Sequence, residues 1–399
     1  MGIHMPEGES VAERGHRWVV PPRLRTVEDG DQERHATWLE LFFDLVFVVA
    51  IAQLSHELVV DHSAEGFLRF AGLFVPVYVA WQGFSFYADR FDTDDLVFRI
   101  SYLAAMVAIA AMAVLIPEVA HEESTAWFAL SYVVLRSIML GLYGRAWLAV
   151  PEARPLIRFY GSGYALGVLI WLVSLGVDTP LRYVLWGIGL AVDLSLPPLA
   201  MRLHVRVPTT AGHVVERWGL FTLIVLGESV VLVALGTAGA EWDGHSVAAA
   251  LLGALAVAGV WWLYFDRHAS IVLRGGTPAV VVYSYAHLPL LLGLAAASAG
   301  VALLLEDAGR DRLETGPSAA YLGGIALFLA SLVAMRVSTT RAGNRWLGVS
   351  LKLGTAALLL LTLALRDVLP TLVVAAVPGF LLAVLVFLER TLFSSQPPG

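Results

Sequence analysis

Residues Trp38 to Leu58 read WLELFFDLVFVVAIAQLSHEL. The run is long enough to cross a bilayer, since a spanning helix needs about 20 predominantly apolar residues. Yet it carries Glu40, Asp44, His56 and Glu57. A charge at the bilayer centre costs at least about 2.5–3.5 kcal/mol, so it persists where it is paired, hydrated or used. Glu40 and Asp44 are one helical turn apart and project from one face. The segment predicts a membrane helix that presents two carboxylates to a single neighbour.

The rest of the chain is of the same kind. Of its 399 residues 58% are hydrophobic and 15% charged, against roughly 25% charged in soluble domains. A hydropathy reading gives twelve spans, near 37–60, 66–88, 96–117, 126–148, 156–177, 181–201, 217–238, 246–266, 277–305, 318–336, 346–366 and 368–389. The expected architecture is an all-α integral membrane protein. Its parts are a polar tail (1–36), a first six-helix unit (37–201), a linker (202–216), a second six-helix unit (217–389) and a C-terminal tail (390–399). The absence of cysteine excludes disulfides and thiolate metal sites. No apolar leader is visible in the polar first 35 residues.

Arginine placement predicts orientation. With the N-terminus inside, cytoplasmic segments hold Arg14, Arg17, Arg23, Arg25, Arg34, Arg90, Arg99, Arg145, Arg154, Arg158, Arg202, Arg206, Arg217, Arg267, Arg274, Arg336, Arg341, Arg345 and Arg390. The other side holds Arg69, Arg182, Arg310, Arg312 and Arg366. Both termini are therefore expected in the cytoplasm of a plasma-membrane protein.

Three echoes suggest duplication. GFSFYADR (83–90) matches VWWLYFDR (260–267), Leu41-Phe42 matches Leu220-Phe221, and Ser101-Tyr102 matches Ser284-Tyr285, at offsets of 177, 179 and 183. Two six-helix units of the same orientation would be parallel repeats, an arrangement that transporters use.

Several ionisable groups fall inside spans. Glu228, beside Ser229 in the seventh span, reads as an ion-binding carboxylate or as half of a structural pair. Arg136 lies about ten residues inside the fourth span and needs a partner; Glu228, Asp193 and Asp44 are all available. Asp193 precedes Pro197-Pro198, a pair that either breaks the helix around a cation or simply ends it. His287 reads as a proton shuttle or a packing residue. Asp89-Arg90 and Asp266-Arg267 read as a cytoplasmic gate or as snorkelling anchors. His56, Glu57, Asp61 and His62, with His121, Glu122, Glu123 and His245, read as an external cation site or a solvated acidic rim. HELVVDH lacks the zinc-peptidase spacing. Lys352, the only lysine, is expected to snorkel.

WLELFFDLVFVVAIAQLSHEL, HVVERWGLFTLIVLGESVV (213–231) and YSYAHLPLLLGL (283–294) resemble three signatures of the bacterial low-temperature-requirement protein A family. The resemblance covers about residues 33 to 390. It implies that the family's recurring polar residues fall on Glu40, Asp44, His56, Glu216, Arg217, Glu228, Ser229 and His287. FDLVFVVAI also resembles the pore-helix motif of lysosomal potassium channels built from six-helix repeats, although Trp38, Phe43 and Leu223 depart from that pattern.

The functional expectation is a proton- or cation-coupled secondary transporter of a small solute or ion, using the intramembrane carboxylates. The alternatives are a cation channel and a non-transporting membrane or envelope factor. No cofactor, catalytic nucleophile or nucleic-acid-binding feature is expected; the lipid bilayer is the obligatory partner, and a homo-oligomer is compatible with the sequence.

Overall fold

The computed structural model describes residues 18–24, 36–204, 207, 211–239, 243–266, 276–339 and 345–393. Among them are twelve long helical segments. The first six are α1 (Trp38–Val60), α2 (Ala64–Arg90), α3 (Leu96–Ala120), α4 (Thr125–Ala149), α5 (Arg154–Ser174) and α6 (Leu181–Leu199). A single turn, α7 (Met201–His204), leads toward α8 (Ala211–Gly239). Then come α9 (Gly244–Phe265), α10 (Gly276–Glu306), α11 (Thr315–Ser318) continuing through a π-helical turn (Ala319–Gly323) into α12 (Gly324–Thr339), α13 (Arg345–Ala364) and α14 (Thr371–Phe393). Eleven of these segments are long and apolar enough to cross a membrane. The exception is α6, whose 19 residues include Arg182, Asp193 and the Pro197-Pro198 pair. Those prolines sit in its last turn, so they end the helix and do not break it within the membrane.

Contacts gather the start of α1 and the start of α8 (Glu40–Arg217), the end of α2 with His204 and His213, and the start of α3 with the end of α4 (Asp95–Arg145) at one end of the bundle. This is the arginine-rich end. Arg14, Arg17, Arg25, Arg34, Arg206, Arg267, Arg274 and Arg341 lie outside the described residues.

Helix starts follow local chemistry. Thr37 and Glu40 form a capping box on α1: the Thr37 N–H donates to Glu40 Oε2 at 2.8 Å, and the Glu40 N–H donates to Thr37 Oγ1 at 3.3 Å. Ser63 caps α2, Asp95 caps α3 and Asp243 caps α9. Asp95 also anchors an N-terminal arm. Its Oδ2 accepts from the Val20 N–H at 2.9 Å and from Arg145 at 2.5 Å, while the two-residue strands Arg23–Leu24 and Phe91–Asp92 pair antiparallel.

α2 is the axis of the molecule. Every residue from Pro76 to Arg90 is buried. A helix covered on all sides belongs to a core, and α2 is packed by α1, α3, α4, α6, α8 and α10. Gly83 allows one of these contacts: a Cβ there would stand 3.0 Å from Arg136 Nη1. In the second half, Gly293 and Gly324 bring α10 and α12 together; a Cβ on either would meet the other's carbonyl oxygen at 2.6 Å. Small residues at such crossings are the usual basis of close helix packing in membranes.

Lys352 does not snorkel. It is fully buried and pairs with Glu389 of α14, with Arg336 3.9 Å from the same carboxylate. The α13–α14 crossing supplies a carboxylate closer than the headgroups, which removes the reason to extend. α8 begins at Ala211, within the stretch 202–216 read as a linker.

Two predictions follow from this packing. Burial raises the Asp95 carboxyl, but hydrogen bonds from Arg145, Phe98 and Val20 outweigh it and hold it below the usual aspartate range. A depressed folded value means that the contribution is present above the ordinary aspartate pKa and is lost as pH falls through the folded one. Asp95→Ala will release the arm at neutral pH and cost about 1 kcal/mol through the lost cap; wild type will release it only under strong acid. Hydrogen exchange of the 18–24 peptide reads both. Gly83→Val will displace Arg136 and lower the melting temperature, whereas Gly72→Val, with open space around the new Cβ, will not.

Candidate functional site

The two carboxylates of α1 meet a single guanidinium. Arg217, in the second turn of α8, places Nη2 2.7 Å from Asp44 Oδ1 and Nη1 3.4 Å from Glu40 Oε2. α2 completes the cluster: Trp81 Nε1 donates to Asp44 Oδ1 at 2.8 Å, and Arg217 Nη2 reaches Ser85 Oγ at 3.4 Å. Glu40, Asp44, Arg217, Trp81 and Ser85 are all buried. Trp81 stacks on Phe221 at 4.0 Å and meets Trp218 edge-on at 4.8 Å, which walls the cluster with aromatic carbon. Among the described residues, Asp44 Oδ2 is buried and accepts no hydrogen bond. Two carboxylates thus share this guanidinium, in surroundings where charge is costly.

A second ion pair lies on the other side of α2. Arg136 of α4 sits 2.7 Å from Asp193 Oδ1 of α6, and the Tyr132 hydroxyl donates to Asp193 Oδ2 at 3.0 Å. The guanidinium rests over the Tyr164 ring at 4.3 Å. Of the three partners open to Arg136 in the sequence, the structure selects Asp193; Asp44 is engaged by Arg217. This pair is neutral as a unit, with matching charges.

His287 is enclosed. Tyr264 donates to its Nε2 at 2.8 Å, and its Nδ1 lies 2.8 Å from the Tyr283 carbonyl oxygen. These partners assign a neutral ring with the proton on Nδ1 and both nitrogens occupied. Nearby, Trp218 donates to the Tyr78 hydroxyl at 3.0 Å, and Tyr78 in turn donates to the Ser284 carbonyl. Ser229 meets Ser298 at 2.5 Å beside a cavity of about 20 Å³, room for a single water.

Glu228 is set apart from these clusters. It is half-buried, makes no hydrogen bond or ion pair with a described residue, and lies beside the exposed Gly227, Val230 and Val231. The structure does not bring it to Arg136, Asp193 or Asp44.

The duplicated acid–base motif has diverged. Asp89 bonds to His213 Nδ1 at 3.1 Å, and Arg90 is buried against Phe86 and Tyr160, so it does not snorkel. Asp266 instead takes a partly exposed bond from Arg390 at 2.8 Å, and Arg267 lies outside the described residues. At the opposite end, His56 approaches Glu57 at 4.0 Å, His62 approaches Glu314 at 3.9 Å, and Asp61 faces Arg69 at 3.6 Å. Hydrogen bonds from Ser63 hold the Asp61 carboxyl below the usual range. Among the described residues no group of three or more His, Asp or Glu could hold a metal ion. An open cleft of about 1040 Å³ lies here, lined by His62, Phe67, Glu314 and Asp367 among others.

Sequence reading placed Arg217 among the arginines that set orientation and among the residues implied by the family resemblance, without pairing it to the α1 carboxylates. The signal was present: two carboxylates on one face demand a cation, and Arg217 opens an apolar run within the second signature segment. The supporting Trp81 and Ser85 had no such signal, since only the packing of α2 selects them.

Comparison with known proteins identifies the family. The chain is 28% identical over 363 residues to an uncharacterised protein of Rhizobium meliloti, RA0937, spanning 85% of this chain and 84% of that one. The family model for the bacterial low temperature requirement A protein (LtrA) matches residues 35–387, which include Glu40, Asp44, Arg136, Asp193 and Arg217. A multi-span membrane protein with buried carboxylate–arginine pairs, the chain belongs to the LtrA family.

Proposed function

We propose that this protein is a secondary transporter of the plasma membrane that couples the movement of a small solute or ion to a proton or cation bound at Asp44. One observation carries the reading: Asp44 shares Arg217 with Glu40 and keeps a buried oxygen, Oδ2, without a hydrogen-bond donor among the described residues. A proton or cation arriving there weakens the hold of Asp44 on Arg217. α1 and α8 belong to different halves of the chain, so the same event loosens the join between them. Exchange between a clamped and a released pair then alternates access to the site.

The order of helix neighbours supports two related six-helix units: α1 packs on α2 and α3 as α8 packs on α9 and α10, and α3–α4–α5 follow one another as α10–α12–α13 do. The arginine-rich end is the cytoplasmic one in this reading, which places both termini inside. The Arg136–Asp193 pair serves as a fixed element, because its charges already cancel. The polar groups are spread along α2 and not gathered at one nucleophile, which favours translocation over catalysis. Glu228, facing outward, is a weaker candidate for the coupling ion than Asp44.

In proteoliposomes with imposed H⁺, Na⁺ or K⁺ gradients, Asp44→Asn will lose coupled flux while keeping its fold by size-exclusion profile and circular dichroism. Full flux in Asp44→Asn would overturn the assignment. Single-channel currents in wild type would replace a carrier with a channel.

Arg217→Met alone will lose about 3–5 kcal/mol of stability, because it removes the buried cation that Asp44 and Glu40 share. Adding Asp44→Leu and Glu40→Gln will recover much of that stability but no flux. Recovery of both would reduce the cluster to a structural role.

A further inference from the structure

We propose that the open cleft at the end opposite the arginine-rich one is a binding site for a lipophilic organic cation, separate from the Asp44–Arg217 pair. Its volume of about 1040 Å³ is on the scale of a small-molecule site. Both halves of the chain build it. The turn between α1 and α2, with the first residues of α2, supplies one side; the start of α11 and Asp367, between α13 and α14, supply the other. The two sides meet at Gly316, which packs so closely on His62 that a Cβ there would strike its carbonyl oxygen.

Two features of the lining select the ligand. Val60, Phe67, Leu68 and Ala319 make an apolar wall, in which Val60 is 57% and Leu68 75% exposed. Asp61, Glu314 and Asp367 supply the charge, all of it negative. Apart from His62, no basic side chain lines the cleft among the described residues. The arginines that pair with these acids, Arg69, Arg310 and Arg366, stand outside the lining. The acid side chains in those pairs are between 42% and 74% exposed, and an ion pair so open to water contributes little, so the carboxylates stay available to a further cation. Asp61 remains ionised, since Ser63 holds its carboxyl below the usual range.

Other ligands use one feature and waste the other. A metal ion needs converging ligands, and among the described residues no group of His, Asp and Glu provides them. An inorganic cation leaves the apolar wall wet. A neutral apolar molecule gains nothing from three carboxylates, and an anion is repelled by them. A cation with an apolar body uses both. The wall buries its carbon surface, the one-signed charge raises its local concentration, and Phe67 offers an aromatic ring, a group that attracts cations.

The test is equilibrium dialysis of the full-length protein in detergent against tetraphenylphosphonium and tetraphenylborate, ions of like shape and opposite charge, with protein-free detergent as the blank. Wild type is expected to bind tetraphenylphosphonium saturably and tetraphenylborate not at all above the blank. Tetramethylammonium, a cation without the apolar body, is expected not to compete at equal concentration. The double variant Glu314→Gln, Asp367→Asn changes two exposed side chains and is expected to fold as wild type does. Its affinity for tetraphenylphosphonium is expected to fall about five- to tenfold. Equal binding of the two tetraphenyl ions by wild type would overturn the proposal, as would the absence of saturable binding, competition by tetramethylammonium, or an affinity unchanged in the double variant. The same measurement in Asp44→Asn should match wild type, so loss of the transport reading leaves this one standing.

Discussion

The structure depends on the cost of placing charge where water is scarce. Arg217 holds Asp44 and Glu40 together, and with them α1 and α8, from opposite halves of the chain. Removing one member of such a set leaves buried charge without compensation, a loss of about 3–5 kcal/mol. Replacing the whole set with apolar side chains of similar volume is often neutral or better. A membrane protein that only needed to fold would do well with leucines here. The persistence of charge in an aromatic enclosure is therefore an argument about function, and the match of the family model across these helices places the cluster within the part of the chain that defines the LtrA family.

α2 makes the arrangement possible. Its buried stretch offers Trp81 and Ser85 to the Asp44–Arg217 side, Gly83 to the Arg136 side, and Arg90 to the tyrosines of α4 and α5. One helix thus lies between the Arg136–Asp193 pair and the Glu40–Asp44–Arg217 cluster.

Much of this was legible in the sequence. Length and hydropathy marked the helices, because bilayer thickness fixes how many apolar residues a span requires. The four-residue spacing of Glu40 and Asp44 fixed their common face, because helical periodicity is local. Pairing was less legible. Arg136 had three possible partners, and only the crossing of α4 with α6 chose Asp193. Lys352 read as a snorkelling residue because Glu389 lies 37 positions away and its nearness is tertiary. Glu228 drew attention as a mid-span carboxylate, yet its direction depends on which face of α8 meets α10, and periodicity alone did not resolve that in a helix apolar on nearly every side.

The central claim is that Asp44 changes protonation or ion occupancy while the protein works. Infrared difference spectroscopy of the carboxyl C=O stretch, recorded across an acid titration in lipid, reads this most directly. The account predicts a protonated-carboxyl band that appears on acidification, shifts when the transported cation is added, and is absent in Asp44→Asn. A band of unchanged intensity and position in Asp44→Asn would contradict it.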